Sequence, residues 1–453
     1  MVIAQTKISR KIAVIGAGAA GLVASKELIK EGHKVVVFER NSEVGGTWVF
    51  DPKTESDQLG LNPSRSLVHS SLCSSLRTNL PREAMGFRDY PFVAKEGEER
   101  DPQRFPGHRE VLLYLGDFAG EFGVTELIRF ETEVVRAGLV EEGKWEVRST
   151  RRGGALVDDV NEVYDGVVVC NGHYTEPNVA DIPGIDVWPG QQIHSHNYRV
   201  PVPFRGQVVV LIGSSFSAYD ISRDIAGIAK EVHVASRSVT KEIPEKQLGY
   251  DNIWLHPMID SAHDDGTVVF QDGSSALIDV ILHCTGYKYN FPFLETSNIV
   301  DIDDNRVGPL YQHIFPPFLA PWLSFVGLPW KIIPFPMFEL QSKWVAGVLS
   351  GRIQLPSQKM MMSNVEVFYS KQEDFGVPKR YAHDMSGCEF DYKDWLAGEC
   401  GFPAAEEWRK QMYIASEENR VARLETFRDE WDDQHLVLQA QEDFLQYSFK
   451  HCI

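Results

Sequence analysis

The sequence predicts an α/β protein built around two dinucleotide-binding βαβ units, each of which opens at a glycine-containing turn. The first turn, Gly16–Gly21, follows the apolar run Ile12–Ile15 and begins a stretch whose apolar residues recur at helical spacing. The β-branched run Lys34–Phe38 comes next and ends in Glu39, where dinucleotide folds place a ribose-binding carboxylate. Together these features favour a dinucleotide site over a glycine-rich turn of another α/β protein.

The residues of the first turn have separate physical tasks. Gly16 permits the sharp turn, Gly18 lets backbone approach a pyrophosphate, and Gly21 allows the helix to pack closely on the strand. Ala19 and Ala20 lie at the start of the helix, where unpaired N–H groups favour an anion. We therefore predict that this turn binds the diphosphate of a cofactor.

A similar unit recurs after residue 207. The apolar run Val208–Ile212 leads into Gly213–Ala218, where Ser215 and Ala218 replace the second and third glycines. Its second strand is followed by Ser236-Arg237-Ser238 instead of a carboxylate, and a guanidinium flanked by hydroxyls can bind a 2′-phosphate. We predict NADP binding here, the alternative being an exposed arginine without a role. The predicted cofactor contacts are Gly213, Ser214, Ser215, Ser217, Ser236 and Arg237.

Length, composition and charge limit the kind of protein. A chain of 453 residues indicates two or three domains. The 64 acidic and 45 basic residues give a net charge of −19, which argues against a nucleic-acid partner. The six cysteines form no CxxC pair, and neither a signal peptide nor a membrane span is evident, so we expect a cytoplasmic protein without a membrane partner.

Several other segments have more than one interpretation. The stretch Gly45-Gly46-Thr47-Trp48 is typical of backbone lying close to a flat ring system, or of an ordinary loop. Asn79 precedes a proline turn, where its side chain usually satisfies the local backbone. His194 and His196 could face one way on a strand, but no third ligand is evident, so we predict no metal site.

Two nucleotide units in one chain, the second suited to NADP, point to a flavoprotein that takes hydride from NADPH. We predict a discontinuous Rossmann-like FAD-binding domain, residues 1–173 and 291–453, with a Rossmann-like NADPH-binding domain, residues 174–290, inserted into it. The late helix that contains Phe338–Trp344 is expected to return to the first domain, where it can lie over the flavin.

The sequence resembles the plant flavin-containing monooxygenases nearly from end to end. Their FxGxxxHxxxY fingerprint is present at Trp188–Tyr198, with tryptophan in the leading position, and their ATG-type motif is present as Cys284-Thr285-Gly286. The related Baeyer–Villiger enzymes carry tryptophan in place of Tyr198. The segments Leu76–Pro81, Phe335–Trp344 and Asp429–Asp433 are most similar to those of the S-oxygenating group.

The resemblance implies a mechanism and further site residues. NADPH reduces FAD, O2 adds at the flavin C4a carbon, and the resulting hydroperoxide transfers one oxygen atom to a thioether sulfur. Asn79 corresponds to the active-site asparagine, whose amide orients the nicotinamide and the peroxide. We assign the following residues to the cofactors in addition to those of the second turn: Gly16, Gly18, Ala19, Ala20, Gly21, Glu39, Arg40, Gly46, Thr47, Trp48, Thr78, Leu80, Val134 and Gln341.

Among substrates, S-alk(en)yl-cysteine or its γ-glutamyl derivative is preferred over methylthioalkyl glucosinolates, although no particular residue decides between them. N-oxygenation or oxidative decarboxylation is a second reading of the same fold. An NADPH oxidase or disulfide reductase is a third, which the absence of a CxxC pair disfavours. A non-catalytic binding protein is the least favoured, because it would have little use for two nucleotide sites.

Overall fold

The computed structural model describes residues 8–140, 143–151, 159–240 and 245–448. It confirms the predicted α/β class, since parallel strands form the main sheet of each of two compact units. The first unit comprises Met1–Trp48, Thr78–Gly172 and Tyr289–Ile453, and the second comprises Val49–Arg77 and His173–Lys288. Within the described part of the chain, every helix is too short or too polar to span a bilayer.

The described strands, numbered in chain order, are β1 Lys11–Ile15, β2 Lys34–Phe38, β3 Ile128–Arg129, β4 Thr132–Leu139, β5 Trp145–Arg151, β6 Asp159–Tyr164, β7 Gly166–Val169, β8 Glu176–Pro177, β9 Gln191–His194, β10 Val208–Ile212, β11 Glu231–Ala235, β12 Glu245–Lys246, β13 Ile253–His256, β14 Ile259–Ala262, β15 Thr267–Phe270, β16 Ser275–Leu277, β17 Val280–His283, β18 Tyr287–Lys288, β19 Leu294–Glu295, β20 Asp301–Asp303, β21 Arg306–Gly308 and β22 Leu323–Phe325. The described α-helices are α1 Ala19–Lys30, α2 Arg82–Met85, α3 His108–Glu121, α4 Phe216–Ala226, α5 Pro334–Leu349, α6 Gln358–Asp374, α7 Glu389–Cys400, α8 Glu407–Ala422 and α9 Gln434–Ser448.

The main sheet of the first unit has the strand order β22-β7-β1-β2-β3, and its neighbouring strands are parallel. Ile12 and Val14 of β1 point into one buried apolar cluster, whereas Ala13 and Ile15 point into another. Because both faces of the sheet are covered, the strand reads as a continuous apolar run rather than an alternating one. Helix α5 packs against α1 on the side of the first cluster.

The turn between β1 and α1 is fixed by contacts that leave no space for side chains. Gly16 has a φ of 105°, and its backbone N–H donates to the carbonyl of Phe38 over 2.9 Å. A Cβ atom on Gly21 would lie only 1.8 Å from the carbonyl oxygen of Gly16. Glycine is therefore required at both positions, and the close packing of helix on strand that the sequence predicts is present.

The second unit repeats this arrangement around β10. Its six-stranded sheet has the order β12-β13-β11-β10-β17-β9, in which only β12 is antiparallel to its neighbour. Gly213 has a φ of 121°, and a Cβ there would lie 2.5 Å from the carbonyl oxygen of Cys284. A Cβ on Gly16 would meet the carbonyl oxygen of Cys170 at the same distance of 2.5 Å. Both turns thus pack on the end of a neighbouring parallel strand.

The predicted domain boundaries include residues 49–77 in the first domain. In the structure these residues belong to the second compact unit instead. They pack in the second unit, where Arg65 donates to Glu176 over 2.8 Å and the His194 N–H donates to the carbonyl of Gln58 over 2.9 Å. The His196 Nε2 atom lies 2.9 Å from the carbonyl oxygen of Val68. These polar contacts join residues more than 100 positions apart, so no local pattern reveals them.

We expect Gly21→Ala to lower the thermal unfolding temperature and to weaken flavin retention, because the added methyl forces α1 away from β1 at a cost of more than about 2 kcal/mol. Gly116→Ala is the matched control, since Gly116 lies inside α3 and no atom beyond the local helix backbone and its chain neighbours lies within 4 Å of its Cβ position. That control should be neutral or stabilising by up to about 1 kcal/mol. Equal unfolding temperatures for the two variants would contradict the packing argument.

Candidate functional site

The first turn presents backbone N–H groups at the start of α1. Gly18 precedes the helix without a side-chain cap, and the first helical hydrogen bond runs from the Leu22 N–H to the Gly18 carbonyl over 2.9 Å. The amides of Ala19, Ala20 and Gly21 consequently have no acceptor within the helix. These N–H groups are available as donors at the turn where the sequence predicts a diphosphate site.

A second glycine segment closes on the first turn. The Gly45 N–H donates to the carbonyl of Ala17 over 3.0 Å, and a Cβ on Gly46 would lie 2.9 Å from the Cα of Gly18. Residues Gly46–Trp48 then form a 3-10 turn, in which the Trp48 ring packs against the first apolar cluster. Two backbone segments therefore meet without intervening side chains, as expected where backbone must approach a flat or charged cofactor.

Glu39 lies buried at the end of β2, beside the first turn. Its Oε2 accepts the Ala17 N–H over 2.8 Å, and its Oε1 accepts the Asn41 N–H over 2.8 Å. Burial raises the pKa of Glu39, while these two backbone N–H groups and Arg40 act in the opposite direction. The carboxylate is thus held in a fixed position, with lone pairs remaining on both oxygens for a ribose hydroxyl. Val134 is buried in the apolar cluster that also contains Phe38.

The predicted catalytic residue Asn79 is held by an arginine from the C-terminal part of the first unit. Arg428 donates from Nη2 to the Asn79 Oδ1 over 2.5 Å and from Nε to the Thr78 carbonyl over 3.0 Å. The Thr78 hydroxyl donates to the Leu80 carbonyl over 2.9 Å, which shapes the turn itself. Because the guanidinium can only donate, the Asn79 amide must present its oxygen to Arg428 and its NH2 group elsewhere.

The segment that carries Arg428 is anchored on both sides of that residue. Asp433 accepts a bidentate interaction from Arg104 at 2.5 and 2.8 Å, and the Phe427 ring packs edge-on against Phe105 with centroids 5.8 Å apart. Sequence reasoning missed Arg428. The only signal was the adjacent Asp429–Asp433 run, which the resemblance singled out without giving it a role.

The predicted residues of the second unit surround the turn after β10. Ser215 precedes α4, and the first helical bond runs from the Tyr219 N–H to its carbonyl over 3.0 Å. The Ser236 and Ser238 hydroxyls lie 2.8 Å apart, and Ser214 reaches Ser238 at 3.4 Å. Arg237 is exposed and makes no side-chain hydrogen bond or ion pair to the described residues. An exposed guanidinium beside three hydroxyls fits a phosphate monoester.

Gln341 lies on α5 and is completely buried, with both ends of its amide engaged. Its Oε1 accepts the Gly327 N–H over 3.0 Å, and its Nε2 lies 3.4 Å from the Tyr392 hydroxyl. A Cβ on Gly327 would lie 3.5 Å from the Cβ of Ala20, so this turn abuts the start of α1. In this structure Gln341 therefore supports the predicted cofactor turn through Gly327.

Buried charges join α5 to α1 in the same unit. Lys26 and Lys343 lie among three carboxylates: Lys26 contacts Glu27 and Asp89, and Lys343 contacts Glu27 and Glu339. The two ammonium groups hold the pKa of Asp89 well below its usual range, whereas burial and the neighbouring Asp89 raise that of Glu339 to about 7. With two cations already inside, these oxygens form an ion-pair cluster rather than a free ligand set for a metal.

The fold and the two turns define an α/β protein that has, in each of two units, a glycine-containing turn of the kind found in dinucleotide-binding folds. Residues 9–252 and 239–399 match the sequence model of the flavin-binding monooxygenase-like family, and the chain belongs to that family. Its enzymes are flavin-containing monooxygenases, and this chain is one of them by that membership.

Individual relatives agree with this assignment. The chain is 59% identical to the flavin-containing monooxygenase FMO GS-OX-like 3 of Arabidopsis thaliana, over 97% of this chain and 98% of the relative. It is 60% identical to the S-allyl-L-cysteine S-oxygenase from Allium sativum, whose structure superposes with a TM-score of 0.95 and covers 98% of this chain and 100% of that one. A structure of Tmm from Pelagibacter, 25% identical, gives a TM-score of 0.77 over 93% of each chain.

Proposed function

We propose that the protein is an FAD- and NADPH-dependent S-oxygenase that converts a small thioether to its sulfoxide, most favourably S-alk(en)yl-cysteine or its γ-glutamyl derivative. The balanced reaction consumes one thioether, O2, NADPH and a proton, and yields the sulfoxide, NADP+ and water. The observation that carries the proposal is the 60% identity, over nearly the whole chain, to the S-allyl-L-cysteine S-oxygenase. Methylthioalkyl glucosinolates are the alternative substrates.

The residues of the first unit fit FAD. The turn Gly16–Gly21 would offer its free amides to the diphosphate. A side chain at Gly18 or Gly46 would fill the space through which the cofactor approaches the backbone. The buried carboxylate of Glu39, held by the N–H groups of Ala17 and Asn41, would accept hydrogen bonds from the adenosine ribose. When bound, FAD supplies the hydride acceptance and oxygen transfer, for which protein side chains have no chemistry of their own.

In the second unit, Arg237 and the hydroxyls of Ser236 and Ser214 would bind the 2′-phosphate of NADPH. In the first, Asn79 would use its amide N–H groups to hold the reacting nicotinamide or oxygen, because Arg428 already occupies its carbonyl oxygen. An amide is suitable here because it donates hydrogen bonds but supplies no proton that would discharge an oxygenating flavin prematurely.

The function is tested on the purified yellow protein, which is reduced with NADPH without O2 and then mixed with aerated buffer. We expect a delay before the oxidised flavin spectrum returns, and S-allyl-cysteine should shorten that delay and give a product heavier by one oxygen. If S-allyl-cysteine leaves the delay unchanged and a methylthioalkyl glucosinolate shortens it, the alternative substrate is selected. Immediate reoxidation with peroxide release would contradict the proposal.

We expect Arg237→Met to raise KM for NADPH by about 10-fold or more, because it removes a charge-assisted interaction with the 2′-phosphate. KM for NADH, which lacks that phosphate, should change by less than about threefold on the same reasoning. Arg205→Met, which removes another exposed arginine of the second unit, is the control and should leave both values unchanged. Equal changes for the two cofactors in Arg237→Met would exclude this role of Arg237.

Arg428→Met should retain FAD but lower the yield of sulfoxide per NADPH by about 10-fold, with the balance appearing as peroxide, because the Asn79 amide loses its fixed orientation. Stopped-flow reoxidation of the NADPH-reduced enzyme should be faster, and Arg428→Lys should restore part of the delay. Arg423→Met is the control, since Arg423 pairs with exposed Asp432 on the same segment. If the control uncouples to the same extent, Arg428 only anchors the segment.

A further inference from the structure

The ion-pair cluster between α1 and α5 contains more carboxyl groups than cations. The carboxyl groups of Glu27, Asp89 and Glu339 lie against the ammonium groups of Lys26 and Lys343. One oxygen of each carboxyl group lies within 4.8 Å of the others. If every group were ionised, one negative charge would be left without a partner in a buried position, which is energetically unfavourable.

The other charged and titratable groups packed around Glu339 do not remove this excess. Arg88 reaches Glu339 through its backbone N–H, which donates to Oε2 over 2.7 Å, while its guanidinium lies 3.3 Å from Glu406. The Arg409 guanidinium is also engaged by Glu406, at 3.0 Å. Burial and the charge of Glu339 raise the pKa of Tyr114 on α3, so its hydroxyl stays neutral. In the described part of the chain, the carboxyl groups of the cluster form ion pairs with its two ammonium groups alone.

The position of Asp89 shows where a proton can balance the charge. Its Oδ2 contacts Lys26, whereas its Oδ1 is buried and has no hydrogen-bond donor among the described residues. The Asp89 and Glu339 carboxyl groups lie at hydrogen-bond range of each other. Because carboxylates only accept hydrogen bonds, one of the two must be protonated for this contact to be favourable. An O–H group on Glu339 supplies a donor to Asp89 and removes the excess charge at the same time.

Glu339 is the member of this pair that keeps the proton. It is 3% exposed, whereas the Asp89 side chain is 25% exposed and lies near both ammonium groups. Burial and the charge of Asp89 raise the pKa of Glu339 from its ordinary value of 4.5 to about 7. Against the effect of burial, Lys343 and Lys26 hold the pKa of Asp89 well below its usual range. The stabilisation from protonated Glu339 is thus complete below 4.5 and is lost as the pH rises through about 7.

We infer that Glu339 carries a proton in mildly acidic and neutral solution and donates it to Asp89, which makes the ion-pair cluster a pH-sensitive joint between α1 and α5. In alkaline solution the Glu339 O–H bond breaks and the proton leaves to solvent past the partly exposed Asp89. One uncompensated negative charge then remains between the two helices. Because α1 begins at the predicted diphosphate turn, this weakens the retention of flavin. That last step rests on the proposed FAD site, whereas the shared proton does not.

The shared proton is tested by infrared spectroscopy of the full-length, FAD-loaded protein at about pH 6 and about pH 9, on either side of the Glu339 titration. The C=O stretch of a protonated carboxyl group lies above the amide I band. We expect this acid band at the lower pH only, and it should shift when glutamate, but not aspartate, carries a 13C-labelled carboxyl group. Burial also raises the pKa values of Glu39 and Glu83, so the band is assigned by its loss in Glu339→Gln.

Two infrared outcomes would overturn the inference. A band that shifts with labelled aspartate would place the proton on Asp89 instead of Glu339. Identical acid bands in the wild-type protein and in Glu339→Gln would mean that Glu339 carries no proton. The labelled wild-type protein decides the first point without any substitution, so the test does not depend on the folding of a variant.

Variants that leave Glu339 in place test the charge balance. Glu27→Gln removes one carboxylate from the cluster, so Glu339 should ionise and the acid band at about pH 6 should fall by about half or more. Asp89→Asn should have the same effect, because it removes the neighbouring negative charge. Glu31→Gln is the matched control, since Glu31 lies at the end of α1 and pairs with Arg352 at 2.7 Å. An equal loss of the band in Glu31→Gln would contradict the charge balance.

Flavin retention tests the consequence of the lost proton. Release of FAD after dilution, followed by flavin fluorescence, should be about fivefold faster at about pH 8.5 than at about pH 6 in the wild-type protein. Glu339→Gln has no proton to lose at this position, so its release rate should change by less than about twofold. Equal acceleration in both proteins would overturn the effect on flavin. A protein that binds no FAD would contradict the proposed function, whereas the infrared bands would still decide the shared proton.

Discussion

In each unit, the shape of the glycine-containing turn is determined by backbone atoms that lie too close together to leave room for a side chain. In the first unit Gly21 packs directly on the Gly16 carbonyl, and Gly16 packs on the carbonyl of Cys170. This places the free amides of α1 at the carboxyl end of the parallel strands, beside the buried Glu39. Once helix and strand meet at this distance, the free amides and Glu39 are fixed relative to each other, because both depend on backbone atoms that cannot move independently.

The second turn uses a looser version of the same constraint. Gly213 packs on Cys284 as Gly16 packs on Cys170, but the position that corresponds to Gly21 is Ala218, which is buried in the core of its unit. A serine also replaces the second glycine. Both turns therefore require close contact with the end of a neighbouring strand. In the second unit, the carbonyl at this contact belongs to Cys284 of the ATG-type motif.

The sequence was sufficient for features that local pattern determines. Apolar runs predicted β1, β2, β10 and β11, because both faces of each sheet are buried. The glycine spacing predicted both turns. The Arg428–Asn79 contact spans 349 positions, and the Arg65 contacts bring residues 49–77 into the second unit. Such contacts have no periodicity, so composition and spacing cannot predict them. The engagement of Gln341 with Gly327 was hidden for the same reason.

The two predicted cofactor sites differ in a way that suits the proposed chemistry. Glu39 is buried and bonded to two backbone amides, so its carboxylate is in position before a ligand arrives and little conformational entropy is lost on binding. Arg237 is exposed and unpaired, so it must be ordered by each 2′-phosphate that arrives. A prepositioned acceptor favours a cofactor that remains bound, whereas an exposed, unpaired cation in an acidic protein favours one that binds and leaves. This difference is expected if, as proposed, the flavin stays bound and the nicotinamide nucleotide exchanges.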